Sequence, residues 1–351
     1  MKSIEADTLP WLLEEDPENP AVRYFALTQL LSRPPEDAEV AEARAAIMRS
    51  GPVPRILAAQ DAQGWWVEPG SGYYPKYTGT VWQIIFLAQL GADGGDARVR
   101  AGCEYVLEQS RSRYGGFSAS FSPAGMVQCL QGNLAAALLD LGWWGDERLS
   151  QALDWLARSV TGREIAPADQ REAEVRYYRS GNSGPGFNCS ANNHLPCAWG
   201  AVKTMLALSK VPVRGRKAAI QEAIEAGVAF LFSRDPAVAD YPMGYAEKPS
   251  LSWFRFGYPI GYVTDMLQIL EVLAAHGHGN DPRLEPAFER LLSKRDSRGR
   301  WKMQYSYNGK TWSDVEKRGA PSKWVTLRAL RALKRVELAP AREAREGKGR
   351  S

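Results

Sequence analysis

Two cysteines and one histidine lie within nine residues in the stretch Cys189-Ser-Ala-Asn-Asn-His194-Leu-Pro-Cys197. Two thiolates and an imidazole can bind tetrahedral zinc when a fourth ligand joins them. Cys129 is the preferred fourth ligand, and Asp265 is another candidate. The alternative is structural, because free cysteine is among the most buried residue types and a histidine can cap a helix. The sequence leaves both interpretations open.

Asp265 is the candidate catalytic residue, because it interrupts the apolar segment Tyr262-Val-Thr-Asp-Met-Leu. A carboxylate in such a segment is costly unless it is paired, binds a metal or faces a wet cavity. In a cavity it would be a general acid with a raised pKa. The alternative is an ion pair or a hydrogen bond to a neighbouring helix.

Basic and aromatic residues recur near the predicted starts of apolar helices. The helix dipole disfavours lysine and arginine there, so a bound anion would explain them. Tyrosine hydroxyls could bind the same anion, and tryptophan faces could line an apolar cavity or stabilise a cation. For tryptophan, the alternative is packing between repeats. The candidate substrate-binding residues are Lys76, Tyr77, Trp82, Trp199, Trp253, Arg255, Tyr258, Tyr262, Lys323 and Trp324.

The elements that must position these residues follow a repeat. In three segments an apolar run ends at a glycine and an aspartate follows: Gly91 and Asp96, Gly142 and Asp146, Gly277 and Asp281. Glycine adopts the left-handed conformation that ends a helix, and aspartate accepts from the free N–H groups that begin the next one. The repeating unit is therefore a helical hairpin with a short turn.

This unit predicts six hairpins. The strongly apolar first helices are expected to form an inner layer, at 21–32, 80–90, 126–141, 197–209, 260–276 and 322–335. Their amphipathic partners are expected outside, at 37–49, 97–109, 147–159, 216–233 and 282–294. The sixth inner helix has no following partner, and residues 10–15 or the C-terminal tail are expected to fill that place. The predicted fold is a single all-α toroid over 1–335, followed by a charged, disordered tail over 336–351.

Connections of two kinds join the helices. Inner-to-outer turns are short, whereas outer-to-inner connections are long and dissimilar, at 64–77, 110–124, 161–195, 235–258 and 295–320. Long, individual loops on a repetitive scaffold usually carry binding residues. We therefore expect the mouth of the central cavity at the N-termini of the inner helices, where helix dipoles would favour an anionic group.

A tryptophan motif gives the chain a family resemblance. Gln60-Asp-Ala-Gln-Gly64-Trp-Trp66 resembles the QxxxGxW element of squalene-hopene cyclases, with weaker copies at 109–117 and 295–301. The repeat pattern over nearly the whole chain resembles one barrel of a triterpene cyclase or the β subunit of protein prenyltransferases. In such proteins the aromatic ring joins adjacent repeats, so the motif supports the fold more than the reaction.

The resemblance implies a protein, expected to be an enzyme, that handles an isoprenoid such as a prenyl diphosphate or a polyprenyl chain in an aromatic-lined cavity. The sequence contains no DxDD, no DDxxD and no Asp-x-Cys, the motifs by which those families protonate substrates or bind metals. Two alternatives remain: a non-catalytic lipid-binding or scaffold toroid, and a carbohydrate-active toroid.

Composition is that of an ordinary globular protein: of 351 residues, 44% are hydrophobic and 24% are charged. The net charge of +4 lacks the dense basic stripe of a nucleic-acid-binding protein. No apolar run reaches the roughly 18 residues of a membrane span, although peripheral membrane contact is open. Four irregularly spaced cysteines indicate reduced thiols rather than a disulfide framework. The expected location is cytoplasmic.

Overall fold

The computed structural model describes residues 2–166, 170 and 182–346. The described residues are mostly helical. The helices are α1 (Lys2–Leu13), α2 (Pro20–Phe25, continued by a π-helix over Ala26–Leu30), α3 (Ala38–Arg49), α4 (Pro52–Ala58), α5 (Thr80–Gln89), α6 (Ala97–Gln109), α7 (Gln128–Asp140), α8 (Glu147–Thr161), α9 (Ala198–Lys210), α10 (Ala218–Leu231), α11 (Met266–Ala275), α12 (Glu285–Ser293) and α13 (Lys323–Glu346). No helix among them is long and apolar enough to cross a membrane.

The helices pair as the repeat predicts. Each of α2, α5, α7, α9 and α11 contacts the helix expected as its outer partner, namely α3, α6, α8, α10 and α12. The sixth apolar helix, α13, contacts α1, which overlaps the N-terminal segment expected at that place. The division into a domain over 1–335 and a tail over 336–351 stays a prediction. The structure describes α13 as far as Glu346.

The apolar helices also contact one another in series. α5 contacts α7, α7 contacts α9, α9 contacts α11, and α11 contacts α13. α13 in turn contacts α2, so the last helix of the series lies beside the first. Most of their side chains belong to one continuous core, as expected for helices covered on most sides.

Glycine and aspartate cap the helices as predicted. Gly91 and Gly142 have φ of 76° and 87°, the left-handed conformation that glycine adopts without steric cost. Asp96 accepts from the N–H groups of Arg98 and Val99 at the start of α6. The same geometry recurs at Asp146 before α8. The repeat visible in the sequence is thus a repeat of helix boundaries.

The tryptophan elements join neighbouring parts of the chain as expected. The indole N–H of Trp66 donates to the Ile56 carbonyl at 2.8 Å, and that of Trp301 donates to the Leu291 carbonyl at 2.7 Å. Their backbone N–H groups bind threonine hydroxyls of the following inner helices, Thr80 and Thr326, both at 3.0 Å. Both indoles are fully buried.

Two features differ from the predicted all-helical arrangement. A small antiparallel sheet precedes α9, with β1 (Ser183–Gly184), β2 (Asn188–Cys189) and β3 (Leu195–Pro196) in that order. The helix expected over 260–276 begins only at Met266. Residues 257–264 are not helical, because their backbone groups bind the neighbouring helices instead of each other.

Candidate functional site

A large cavity lies between the six apolar helices. Its volume is about 1290 Å³, and α2, α5, α7, α9, α11 and α13 all contribute lining residues. This exceeds the roughly 300–1,000 Å³ of most ligand pockets. Its size and position make it the candidate functional site.

The cavity opens at the C-terminal ends of the helices. Gln89, Asp140, Lys210 and Ala275 line it, and each is the last residue of its helix. On α7 the lining continues to Asn133, seven residues earlier, which corresponds to a depth of roughly 10 Å. The expected mouth at the N-termini is therefore wrong. The helix dipoles at this opening are negative, the opposite of the expected field.

The segment 257–264 lies between the helices and closes the deeper part of the cavity, and it reaches as far as Gln89 at the end of α5. The side-chain amide of Gln89 donates to the Ile260 carbonyl and accepts from the Ile260 N–H, both at 2.8 Å. Asn133 donates to the Gly261 carbonyl at 3.1 Å. Arg328 donates to the Gly257 carbonyl at 2.9 Å. These bonds hold the long connector between the apolar helices instead of at their ends.

Small residues form much of the wall. Ala88 lies on α5, Ala136 and Ala137 on α7, Ala275 on α11 and Ala332 on α13. Because each methyl group is short, the helices leave a wide lumen between them, which polar side chains such as Ser209 and Gln268 also line.

The floor is polar and includes a buried lysine. Nζ of Lys203 on α9 and the hydroxyl of Thr264 both donate to Oε1 of Gln268, which lines the cavity. Lys203 is 0% exposed, and burial lowers its pKa to about 7. Among the described residues, no carboxylate forms an ion pair with it.

Asp265 is part of an ion-pair network beside this floor. It is the N-cap of α11, where Oδ1 accepts from the Gln268 N–H at 2.8 Å. Both of its oxygens also accept from Arg328, each at 2.9 Å. Arg328 bonds Glu271 as well, at 2.7 Å. Burial opposes the charge of Arg328, but the two carboxylates outweigh it and raise its pKa. Asp265 is thus outside the helix, in the ion pair that was the alternative interpretation.

Basic side chains at the rim are already engaged. The ion pairs there join Lys210 to Asp140, Arg44 to Asp93 and Arg331 to Glu271. Lys334 differs, because it donates to the carbonyls of Gln29 and Leu30 at 3.1 and 2.7 Å and to the hydroxyl of Ser32. Most positive charge at the opening is therefore balanced by a neighbouring carboxylate.

Five of the predicted substrate-binding residues meet at the closed end. Tyr77 stacks on Tyr262 with ring centroids 6.4 Å apart, and their hydroxyls are 3.3 Å apart. Trp82 and Trp199 contact the same Tyr262 ring, and Lys76 lies over it at 5.3 Å. Burial raises the pKa of Tyr77. The members of this cluster pack against one another and do not line the large cavity.

The other predicted binding residues are dispersed. Tyr258 lines the cavity, and its ring stacks on Trp324 at 4.1 Å. Trp253 packs against Tyr241. Arg255 borders only a void of about 10 Å³, beside Asp265. Lys323 pairs with Asp16 at 3.3 Å and Glu14 at 3.5 Å.

The expectation of a tryptophan-lined cavity is wrong for the cavity that the structure describes. The Trp82 indole donates to the Tyr73 carbonyl, and the Trp324 indole donates to Asn19. No tryptophan is among the lining residues of the large cavity. The rings pack between repeats, as the alternative interpretation had it.

The cysteine and histidine cluster comes together in part. The thiols of Cys189 and Cys197 lie close together, whereas His194 is exposed. Cys129, half-buried at the start of α7, lies near both thiols. Within the described ranges, no three His, Cys, Asp or Glu side chains are placed to hold a metal. Zinc binding therefore stays a prediction.

Sequence reasoning overlooked several residues of the site. Lys203 and Arg328 are charged residues within apolar helices, the signal that identified Asp265. Asn133, Gln268 and Glu271 are polar interruptions of the same kind. Applied to every inner helix, that signal would have found the cavity floor.

Comparison with known proteins adds no further assignment. No protein-family model matches the chain, and no curated protein matches it.

Proposed function

We propose that the chain is an α/α toroid that binds an isoprenoid-type ligand in its central cavity. The toroid is supported by the sequence of contacts between the inner helices, in which the last helix, α13, lies beside the first, α2. It is also supported by the outer helix that packs against each inner helix. The family resemblance of the tryptophan elements points to the same architecture.

The observation that carries the proposed ligand is the alanine wall. Methyl groups from four helices, including Ala88, Ala137, Ala275 and Ala332, surround a volume of about 1290 Å³. An aliphatic chain gains roughly 25 cal/mol for each Å² of its surface that leaves water, and it needs no directional partner on the wall. A long hydrocarbon chain is the ligand class that fits such a lumen.

The rim favours an uncharged polar end group over a diphosphate. A diphosphate would have to draw Lys210 and Arg331 away from Asp140 and Glu271, and the negative helix ends at the opening would oppose it. A hydroxyl or carbonyl needs only a hydrogen bond, which the side-chain amide N–H of Gln268 in the cavity can offer. The proposal is therefore a polyprenyl compound with a neutral head.

Binding, not conversion, is the function that the geometry supports. Both oxygens of Asp265 accept hydrogen bonds from Arg328, so the proposed function assigns no proton-donor role to this residue. Analysis of the ligand for products after incubation with the protein would detect any catalysis.

The test is ligand-induced stabilisation of the full chain. Prenyl alcohols of increasing length should raise the melting temperature, and matching diphosphates should raise it less. Ala137→Trp fills the lumen and should abolish the shift, whereas Ala45→Trp, on the exposed side of α3, should keep it. A shift that Ala137→Trp leaves unchanged, or no shift at any chain length, would remove the proposal.

A carbohydrate is the second candidate. Asp140 and Glu271 both line the cavity, as do the amides of Gln29, Gln89 and Asn133. Paired carboxylates and hydrogen-bonding side chains suit glycan binding. Because both acids are engaged in ion pairs, this candidate ranks second. Stabilisation by oligosaccharides, with none by prenyl alcohols, would reverse the order.

A further inference from the structure

The small sheet brings two cysteines to one face. Cys189 on β2 is paired with Leu195 on β3, and the N–H of Cys197 donates to the Phe187 carbonyl at 2.8 Å, which extends the ladder. Cys197 is two residues beyond Leu195, so its side chain lies on the same face as that of Cys189. Diagonal neighbours of this kind are roughly 7–8 Å apart, with their Cβ atoms somewhat closer.

The two thiols are in contact and differ in surroundings. They lie close together, and both cysteines are free. Cys189 is half-buried in the loop that precedes α9, and Cys197 is the N-cap of α9, where its sulfur accepts from the Gly200 N–H at 3.5 Å. Both thiols are therefore partly accessible, and Cys197 is held at the start of the helix.

We propose that Cys189 and Cys197 form a redox-active dithiol that reacts with low-molecular-weight disulfides. The Cys189 thiolate attacks one sulfur of the small disulfide, which forms a mixed disulfide and releases one thiolate. Cys197 then loses its proton and attacks Sγ of Cys189, and the second small thiolate leaves and is protonated. The protein dithiol is oxidised to a disulfide by two electrons, and the small disulfide is reduced to two thiols.

Cys189 and Cys197 are suited to form a disulfide because their thiols lie close together on one face of the ladder. An S–S bond is about 2.0 Å long and requires Cβ atoms that face one another. Side chains on one face of a short ladder meet that requirement with a local shift of the connector. The third thiol, Cys129, lies near both and is half-buried on α7, so it is the competing partner that the test must exclude.

The test uses the full chain in mixtures of glutathione disulfide and glutathione, followed by alkylation of free thiols and intact mass measurement. The unchanged protein should form one internal disulfide and carry no glutathione. Cys197→Ser should trap one glutathione per chain, located on Cys189 by peptide mapping. Cys129→Ser and Cys103→Ser should behave as the unchanged protein.

Other outcomes would overturn the proposal. Loss of the internal disulfide in Cys129→Ser would assign the reaction to a different pair. Four thiols that stay free across the glutathione series would show that no dithiol reacts. Circular dichroism of each variant verifies that it is folded, and a Cys197→Ala variant that also traps glutathione on Cys189 separates loss of the resolving thiol from loss of the α9 cap.

Discussion

Arg328 of α13 and Asp265 at the N-cap of α11 face each other in a two-bond ion pair, with both N–O distances at 2.9 Å. Their side chains are 2% and 5% exposed. Arg328 also bonds Glu271 and the Gly257 carbonyl, so one guanidinium joins two helices and the connector that closes the cavity. This residue is therefore the main polar link at the cavity floor.

Removing Arg328 should destabilise the fold strongly. Arg328→Met leaves two carboxylates near the floor without their partner, and breaking a buried pair in this way costs about 3–5 kcal/mol. Urea unfolding followed by circular dichroism measures the change. Arg331→Met, at a more exposed position on the same helix, is the control and should cost less than half as much. Equal losses in the two variants would contradict the assigned role.

Lys203 should make stability depend on pH. Its pKa in the folded chain is about 7, against an ordinary value of 10.5, because burial disfavours the charge. Between these values the unfolded chain binds a proton that the folded chain does not, so the free energy of unfolding gains a term that rises with pH. The slope of that term is at most about 1.4 kcal/mol per pH unit.

Urea titrations between pH 7 and 9 test this effect. Lys203→Met should stabilise the protein most at pH 7 and reduce the upward slope, whereas Lys217→Met, at an exposed position, should keep it. A slope that is the same in all three proteins would show that Lys203 does not titrate in this range.

The two tryptophan elements should contribute alike. Trp66→Phe and Trp301→Phe each remove an indole N–H and leave the carbonyl of Ile56 or Leu291 without that donor. An unsatisfied buried group costs about 1–3 kcal/mol, so we expect similar losses in both variants. Trp144→Phe, at a residue that is 41% exposed, should change stability by less than about 0.5 kcal/mol. Clearly unequal losses at Trp66 and Trp301 would argue against equivalent roles.

The aspartate caps give a more local test. Asp96→Ala should lower the free energy of unfolding by about 1 kcal/mol, because the N–H groups of Arg98 and Val99 lose their acceptor. Asp96→Asn keeps an acceptor of the same length and should lose much less. If Asn and Ala have equal effects, the ion pair between Asp96 and Arg98 rather than the cap matters at this position.

Helix positions followed from the sequence because their signals are local. The turn from Gly91 to Asp96 marks the end of one helix and the start of the next within a few residues, and α6 has the predicted bounds of 97–109. Burial of the apolar helices followed from their composition in the same way.

The closed end of the cavity could not be predicted, because it depends on contacts between distant residues. Gln89 binds Ile260 across 171 positions, and Asn133 binds Gly261 across 128. Nothing local in the connector distinguishes a loop that folds inward from one that stays at the rim. For the same reason the sequence could not show which of the predicted binding residues lie beside the cavity, as Tyr258 does.

The inward-folded segment 257–264 has a further effect on any guest molecule. Because this segment closes one end, a ligand enters and leaves through the one opening. The end of the ligand that enters first is the part that reaches Gln268 and the ion pairs at the floor. A chain longer than the roughly 10 Å depth must coil sideways or protrude into water. The closed end therefore limits the length of ligand that the cavity can hold, and the part of a long ligand that stays outside remains accessible to other molecules.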